Sequence, residues 1–271
     1  MNRSLAAIAS LAVSATAASA QLIAAGPFQS SNTDFYTLSE VNGAATPFAP
    51  FNVFDIASGM TWDGERLLAA TSDALYAIDP DTGLSTFLFF LGAAAPGGEG
   101  CIAARPGTDE LYAISDNILW RIDLNTGIPT LIRDGLPNNN WNGLTFGPDG
   151  RLFTIVFSFS FSRLYEVQLP SGFITEIGPM NFPPNSGNNP GVTGLAFNPD
   201  LQAMYAAYLG DLYRVNFFNG ASVRLGASGL GSISGLAYVG SPPPAGCPAD
   251  LAPPQGVLDL ADIGAFTGAF Q

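Results

Sequence analysis

Histidine and lysine are absent from this 271-residue sequence, cysteine occurs twice, and charged residues fill only 11% of positions. Without imidazole there is no Ser-His-Asp or Cys-His relay and no histidine metal ligand; without lysine there is no Schiff base. Any chemistry must run on carboxylates, hydroxyls, arginine, tyrosine or a bound cation. Basic charge is scarce too: nine arginines face 22 acidic residues, for a net charge of −13. That balance argues against nucleic acid or anionic lipid as a partner. Past the N-terminus no run of about 18 apolar residues occurs, so no transmembrane segment is expected.

What is present begins with an address. Arg3 precedes an apolar stretch from Leu5 to about Val13, and Ala18-Ser19-Ala20 offers a small-x-small cleavage signal. Residues 1–20 read as a secretory signal peptide with Gln21 as the mature N-terminus. The product is expected to be secreted, whether extracellular, periplasmic or on the cell surface. The remaining chain of about 250 residues can bury one large core. In an exported chain Cys101 and Cys247 could pair. Cys101, however, aligns with the apolar positions Met60, Leu144, Leu195 and Leu236, and reads as a small buried core residue.

The stretch "LYAIDPDTG" at 75–83 resembles a calcium loop until its relatives are found. It returns as "LWRIDLNTG" at 119–127, "LYEVQLPSG" at 164–172, "LYRVNFFNG" at 212–220 and "FYTLSEVNG" at 35–43. The glycine persists and the aspartates do not: Asp79 becomes Asp123, Gln168, Asn216 and Ser39. A metal site would keep its carboxylates, whereas a tight turn keeps the residue that accepts positive φ. A second element precedes each copy: "SGMTW" at 58–62, "EGCIA" at 99–103, "NGLTF" at 142–146, "TGLAF" at 193–197 and "SGLAY" at 234–238. Its glycines recur at intervals of roughly 40 to 50 residues, the period of propeller blades. Each unit reads as four strands, A to D, joined by tight turns. Strands apolar on both faces need a sheet on either side, which radial stacking supplies.

Counting inner strands predicts an all-β, five-bladed β-propeller over residues 21–240. The fifth blade has strand A at Ile233 to Val239, and its B, C and D strands must be "QLIAAG", "DFYTLSEV" and "ATPFAPF" from the mature N-terminus. The elements "GLAF-x-PD" and "LY-x-ID-x-x-TG" resemble those of secreted propellers of the lactonase and quinoprotein-like repeat type. The resemblance implies a fold, not one activity, because enzymes and non-enzymes share it. By strand parity, A–B and C–D turns share one end of the ring, which collects Asp63, Asp79, Asp81, Asp109, Asp123, Asp149 and Asp200. The longer loops, at 92–100, 136–143 and 178–194, occupy the other end, where ligand binding is expected.

Candidate ligand-binding residues lie in those loops. Asn140, Trp141 and Asn142 set amides beside an indole face, and Asn181, Phe182 and Asn188 repeat the mixture, suiting an uncharged polar ligand such as a sugar. The competing reading is that these are ordinary loop residues and that Trp141 fills the inter-blade core. "VFSFSFS" at 156–162 places Phe157, Phe159 and Phe161 on one side of a hairpin, as packing or as a partner-binding patch. A glycosidase would need paired carboxylates on the axis. Of the residues before the inner glycines (Ser58, Glu99, Asn142, Thr193, Ser234) only Glu99 is acidic, and it joins the ligand-binding candidates.

Residues 241–249 are a Pro-rich linker. Residues 250–271 are similar to one half of a dockerin-type, EF-hand-like repeat. That resemblance implies Asp250, Asp259 and Asp262 as metal positions. Ala252 and Pro254 replace two expected oxygen donors, so at most weak calcium binding is expected, and no other cofactor. The tail also reads as a short capped helix with an apolar stripe of Leu260, Ile263, Phe266 and Phe270. Two functions stay open: an exported binding or scaffold module, monomeric, with an extracellular glycan or protein partner and a tail for attachment or sorting; or a hydrolase or lyase acting on polysaccharide or lactone.

Overall fold

The computed structural model describes residues 20–26, 34–50, 57–96, 101–137, 140–158, 161–183 and 192–240. The signal segment, linker and tail lie outside them, as do Glu99, Phe159, Asn188, Cys247, Asp250, Asp259 and Asp262. Among the described residues no helix is long and apolar enough to cross a membrane.

The chain starts in its closing blade with β1 (Gln21–Gly26), β2 (Asp34–Leu38) and β3 (Ala45–Pro50). Blade one is β4 (Gly59–Trp62), β5 (Leu67–Ala70), β6 (Ala74–Ile78) and β7 (Ser85–Phe90). Blade two is β8 (Ile102–Ala104), β9 (Glu110–Ser115), β10 (Ile118–Asp123) and β11 (Pro129–Arg133). Blade three is β12 (Trp141–Phe146), β13 (Leu152–Ser158), β14 (Phe161–Gln168) and β15 (Phe173–Pro179). Blade four is β16 (Val192–Asn198), β17 (Ala203–Tyr208), β18 (Asp211–Val215) and β19 (Ser222–Ala227). Then β20 (Gly235–Val239) returns to the closing blade, whose strand order is β20-β1-β2-β3. The five-bladed, all-β reading and its split blade are observed. Ring closure is antiparallel, from Gln21 opposite Val239 to Ala25 opposite Gly235.

Burial explains the sequence pattern. Every residue of β5 and β17 is buried, because a middle strand has a neighbouring blade on each face. The outermost strands β7 and β19 are half-buried or exposed throughout and carry polar residues. The hydrophobic core is accordingly five clusters, one in each seam between adjacent blades.

The five C–D turns are copies of one another. The amide of the terminal glycine donates to the carbonyl four residues back: Gly43 to Ser39, Gly83 to Asp79, Gly127 to Asp123, Gly172 to Gln168 and Gly220 to Asn216. These glycines all hold positive φ, 72° at Gly83. Each also seats against the outer strand of the preceding blade, where a C–D bulge brings the chain close. A Cβ on Gly83 would stand 2.1 Å from the Ala49 Cβ, and one on Gly127 would stand 2.8 Å from Phe89 Cγ. Among the described residues no group of three or more acidic or Cys side chains could hold a metal.

Two alignments shift. In blade two, Ala104 pairs with Leu111 as Trp62 pairs with Leu67 and Phe146 with Leu152. Ile102, not Cys101, therefore matches Met60, Leu144, Leu195 and Leu236, and Cys101 takes the glycine place. The glycine of "EGCIA", one place earlier in the sequence than the position that matches Gly59, hid this offset. Cys101 is buried all the same, its thiol 3.0 Å from the Trp141 carbonyl oxygen. In blade three the chain reverses after Ser158, pairing Phe157 with Ser162 and Ser158 with Phe161. Phe157 is buried and Phe161 exposed, so the expected single phenylalanine face does not form.

Candidate functional site

The inner strands β4, β8, β12, β16 and β20 surround the axis. Met60, Ile102, Leu144, Leu195 and Leu236 meet there, and with Gly143, Gly194 and Gly235 they leave no room for a water molecule. Glycine makes this constriction possible. A Cβ on Gly143 would lie 2.9 Å from the Leu195 Cβ, one on Gly194 2.6 Å from the Leu236 Cβ, and one on Gly235 2.9 Å from Met60 Cγ. With those strands drawn together at the glycine end, the axis is sealed midway.

Three residues beyond the glycine place the register position is aromatic in four blades: Trp62, Phe146, Phe197 and Tyr238. They line a funnel of about 490 Å³ at that end of the axis. It opens on the face of the acidic A–B turns. Each ring is also anchored in a seam: Phe146 sits edge-on to Tyr112 (centroids 5.5 Å apart) and Phe197 to Phe217 (5.8 Å). In blade two the position is Ala104, which leaves a gap in the aromatic ring.

The polar groups of the funnel are largely tied into its wall. Tyr238 donates to Asp200 Oδ2 at 3.1 Å, and burial, reinforced by that carboxylate, pushes its phenol up to about 12. Behind it, Asn198 Nδ2 donates to Glu40 Oε2 at 2.9 Å, and burial raises the Tyr205 phenol with help from Glu40. Thr61 Oγ1 accepts from the Ala104 amide at 2.9 Å. Asp149, exposed at the rim, is the one carboxylate among the described lining residues. The funnel presents apolar and aromatic walls without an acid–base pair.

Of the ligand-binding candidates picked out from sequence, those among the described residues are not in the funnel lining. Trp141 is buried in the seam of blades two and three, edge-on to Tyr165 at 5.8 Å. Asn142 is buried, its Nδ2 donating to the Asn140 carbonyl at 3.3 Å. Asn140 and Asn181 are exposed. Phe182 stacks on Tyr208 (4.7 Å, 11°) in the seam of blades three and four. The two aromatic rings thus belong to different seams. The funnel residues were visible as the last letters of "GMTW", "GLTF", "GLAF" and "GLAY", but their periodicity signalled only a strand.

No family model matches the chain, and no curated protein matches it. Its fold is similar to a chain of a nidogen/laminin complex, with TM-score 0.56 and 13% identity over 82% of each chain. It is also similar to TolB from Acinetobacter baumannii, with TM-score 0.50 and 12% identity, covering 80% of this chain and 66% of that one. At these identities the likeness is one of fold.

Proposed function

We propose that this chain is an exported binding propeller whose axial funnel receives an apolar side chain projecting from a protein partner. One observation carries the reading: the funnel is walled by Trp62, Phe146, Phe197 and Tyr238 and sealed at its base by Leu195, Leu236 and Met60. Such a closed apolar socket suits a single inserted anchor. A similar fold solved within a nidogen/laminin complex adds support for a protein partner. A glycosidase would need converging carboxylates, and among the described residues the funnel lining supplies only Asp149.

Export rests on the signal-like pattern of residues 1–20, and a cut after Ala20 leaves β1 whole, since it begins at Gln21. Residues 250–271, the half-dockerin-like segment, serve in this reading for attachment or sorting. Selection of a displayed peptide library on residues 21–271, with an Ala104→Trp variant as counter-target, tests the binding role. Peptides retained by the wild type and lost on the variant should share an aromatic or large aliphatic residue. Enrichment of the same peptides on both proteins would remove the funnel as the site.

A further inference from the structure

The gap at Ala104 continues outward. Gly64 and Pro106 line both the funnel and a second concavity, of about 550 Å³, between the A–B turns of blades one and two. In the other blades an aromatic ring at this position packs into the seam beside the funnel; here the position is the small residue Ala104. The outer walls of this groove carry Asp63, Glu65 and Asp109 against a single cation, Arg66. Arg66 Nε is held by Asp63 Oδ2 at 2.8 Å. Among the described residues Glu65 and Asp109 have no cationic partner, and both are exposed.

From this arrangement we infer that the groove of blades one and two seats an extended, basic segment of the partner protein, running outward from the apolar anchor in the funnel. The inference rests on the proposed binding role and specifies its ligand. An extended chain can run from the funnel into the adjoining concavity, since Gly64 and Pro106 line both. Lysine or arginine next to the anchor would pass over Glu65 and Asp109, whereas an acidic flank would be repelled, as it would be by the whole chain at −13. Arg105 is drawn away from the groove by Glu110, its Nη1 lying 3.2 Å from Glu110 Oε2.

The test uses three capped peptides, acetyl-Gly-Phe-Lys-Lys-Lys-Gly-amide and its versions with serine or glutamate in place of lysine, titrated calorimetrically into residues 21–271. At low ionic strength the lysine peptide should bind at least fivefold more tightly than the serine peptide, and the glutamate peptide more weakly than either. Salt at 0.5 M should erase the difference, as should the double substitution Glu65→Gln with Asp109→Asn. Equal affinity for the lysine and serine peptides, or a lysine preference that survives the double substitution, overturns the groove assignment. That failure is separable from failure of the funnel itself. If the serine peptide binds and Ala104→Trp abolishes it, the funnel stands and only the basic flank falls. If no peptide binds, or binding is indifferent to Ala104→Trp, both fall.

Discussion

Asp79 shows how an acidic residue serves a turn. Its Oδ1 accepts the amides of Asp81 at 2.8 Å and Thr82 at 3.0 Å, and Asp123 repeats this with Asn125 and Thr126. Asn216 Oδ1 accepts from Phe218 at 2.9 Å, so an amide oxygen does the same work. Replacing Asp79 and Asp81 together by Asn should change stability by no more than about 0.5 kcal/mol in urea denaturation. Gly83→Val should cost about 3 kcal/mol, because valine resists φ of 72° and its Cβ would overlap Ala49. Tyr238 predicts a pH dependence. An unfolded tyrosine loses its proton near pH 10, whereas Tyr238 keeps it to about 12. Above pH 10 the folded state therefore binds more protons, and stability falls as pH rises towards 12. With no histidine in the chain, thermal midpoints should stay level between pH 6 and 9, the region histidine would otherwise perturb. They should then drop, and drop less steeply in Tyr238→Phe.

At the scale of elements, repetition made the strands legible. Five copies of one hairpin and five of one inner strand fixed blade number, turn type and the split blade. The offsets that escaped were of a single residue. The glycine of "EGCIA" misaligned blade two by one residue, where Ala104 is in register with Trp62, and a reversal after Ser158 separated Phe157 from Phe161; pairing between strands decides both, and periodicity within one strand does not. The bulge in every C–D pair, as between Leu75 and Tyr76, was equally hidden. It brings each outer strand against the next blade's turn glycine. Because β1, β2 and β3 supply most of the closing blade, deleting Gln21 to Pro50 should abolish cooperative unfolding and native-like β-sheet circular dichroism. The loss would leave β20 unpaired and expose sheet edges on both sides of the break.

For the whole molecule, the place of the cavity depends on distances across the axis that no single strand encodes. Glycine is small enough to let neighbouring inner strands approach at one end, and aromatic residues line the funnel at the other. The funnel opens among the acidic A–B turns, a place that no loop length signalled. The direct test is fluorescence titration of residues 21–271 with N-phenyl-1-naphthylamine, a neutral apolar probe small enough for the funnel. The account predicts one site per chain, with energy transfer from tryptophan, and affinity reduced at least tenfold in an Ala104→Trp variant that unfolds at the wild-type temperature. Unchanged affinity in that folded variant would contradict it.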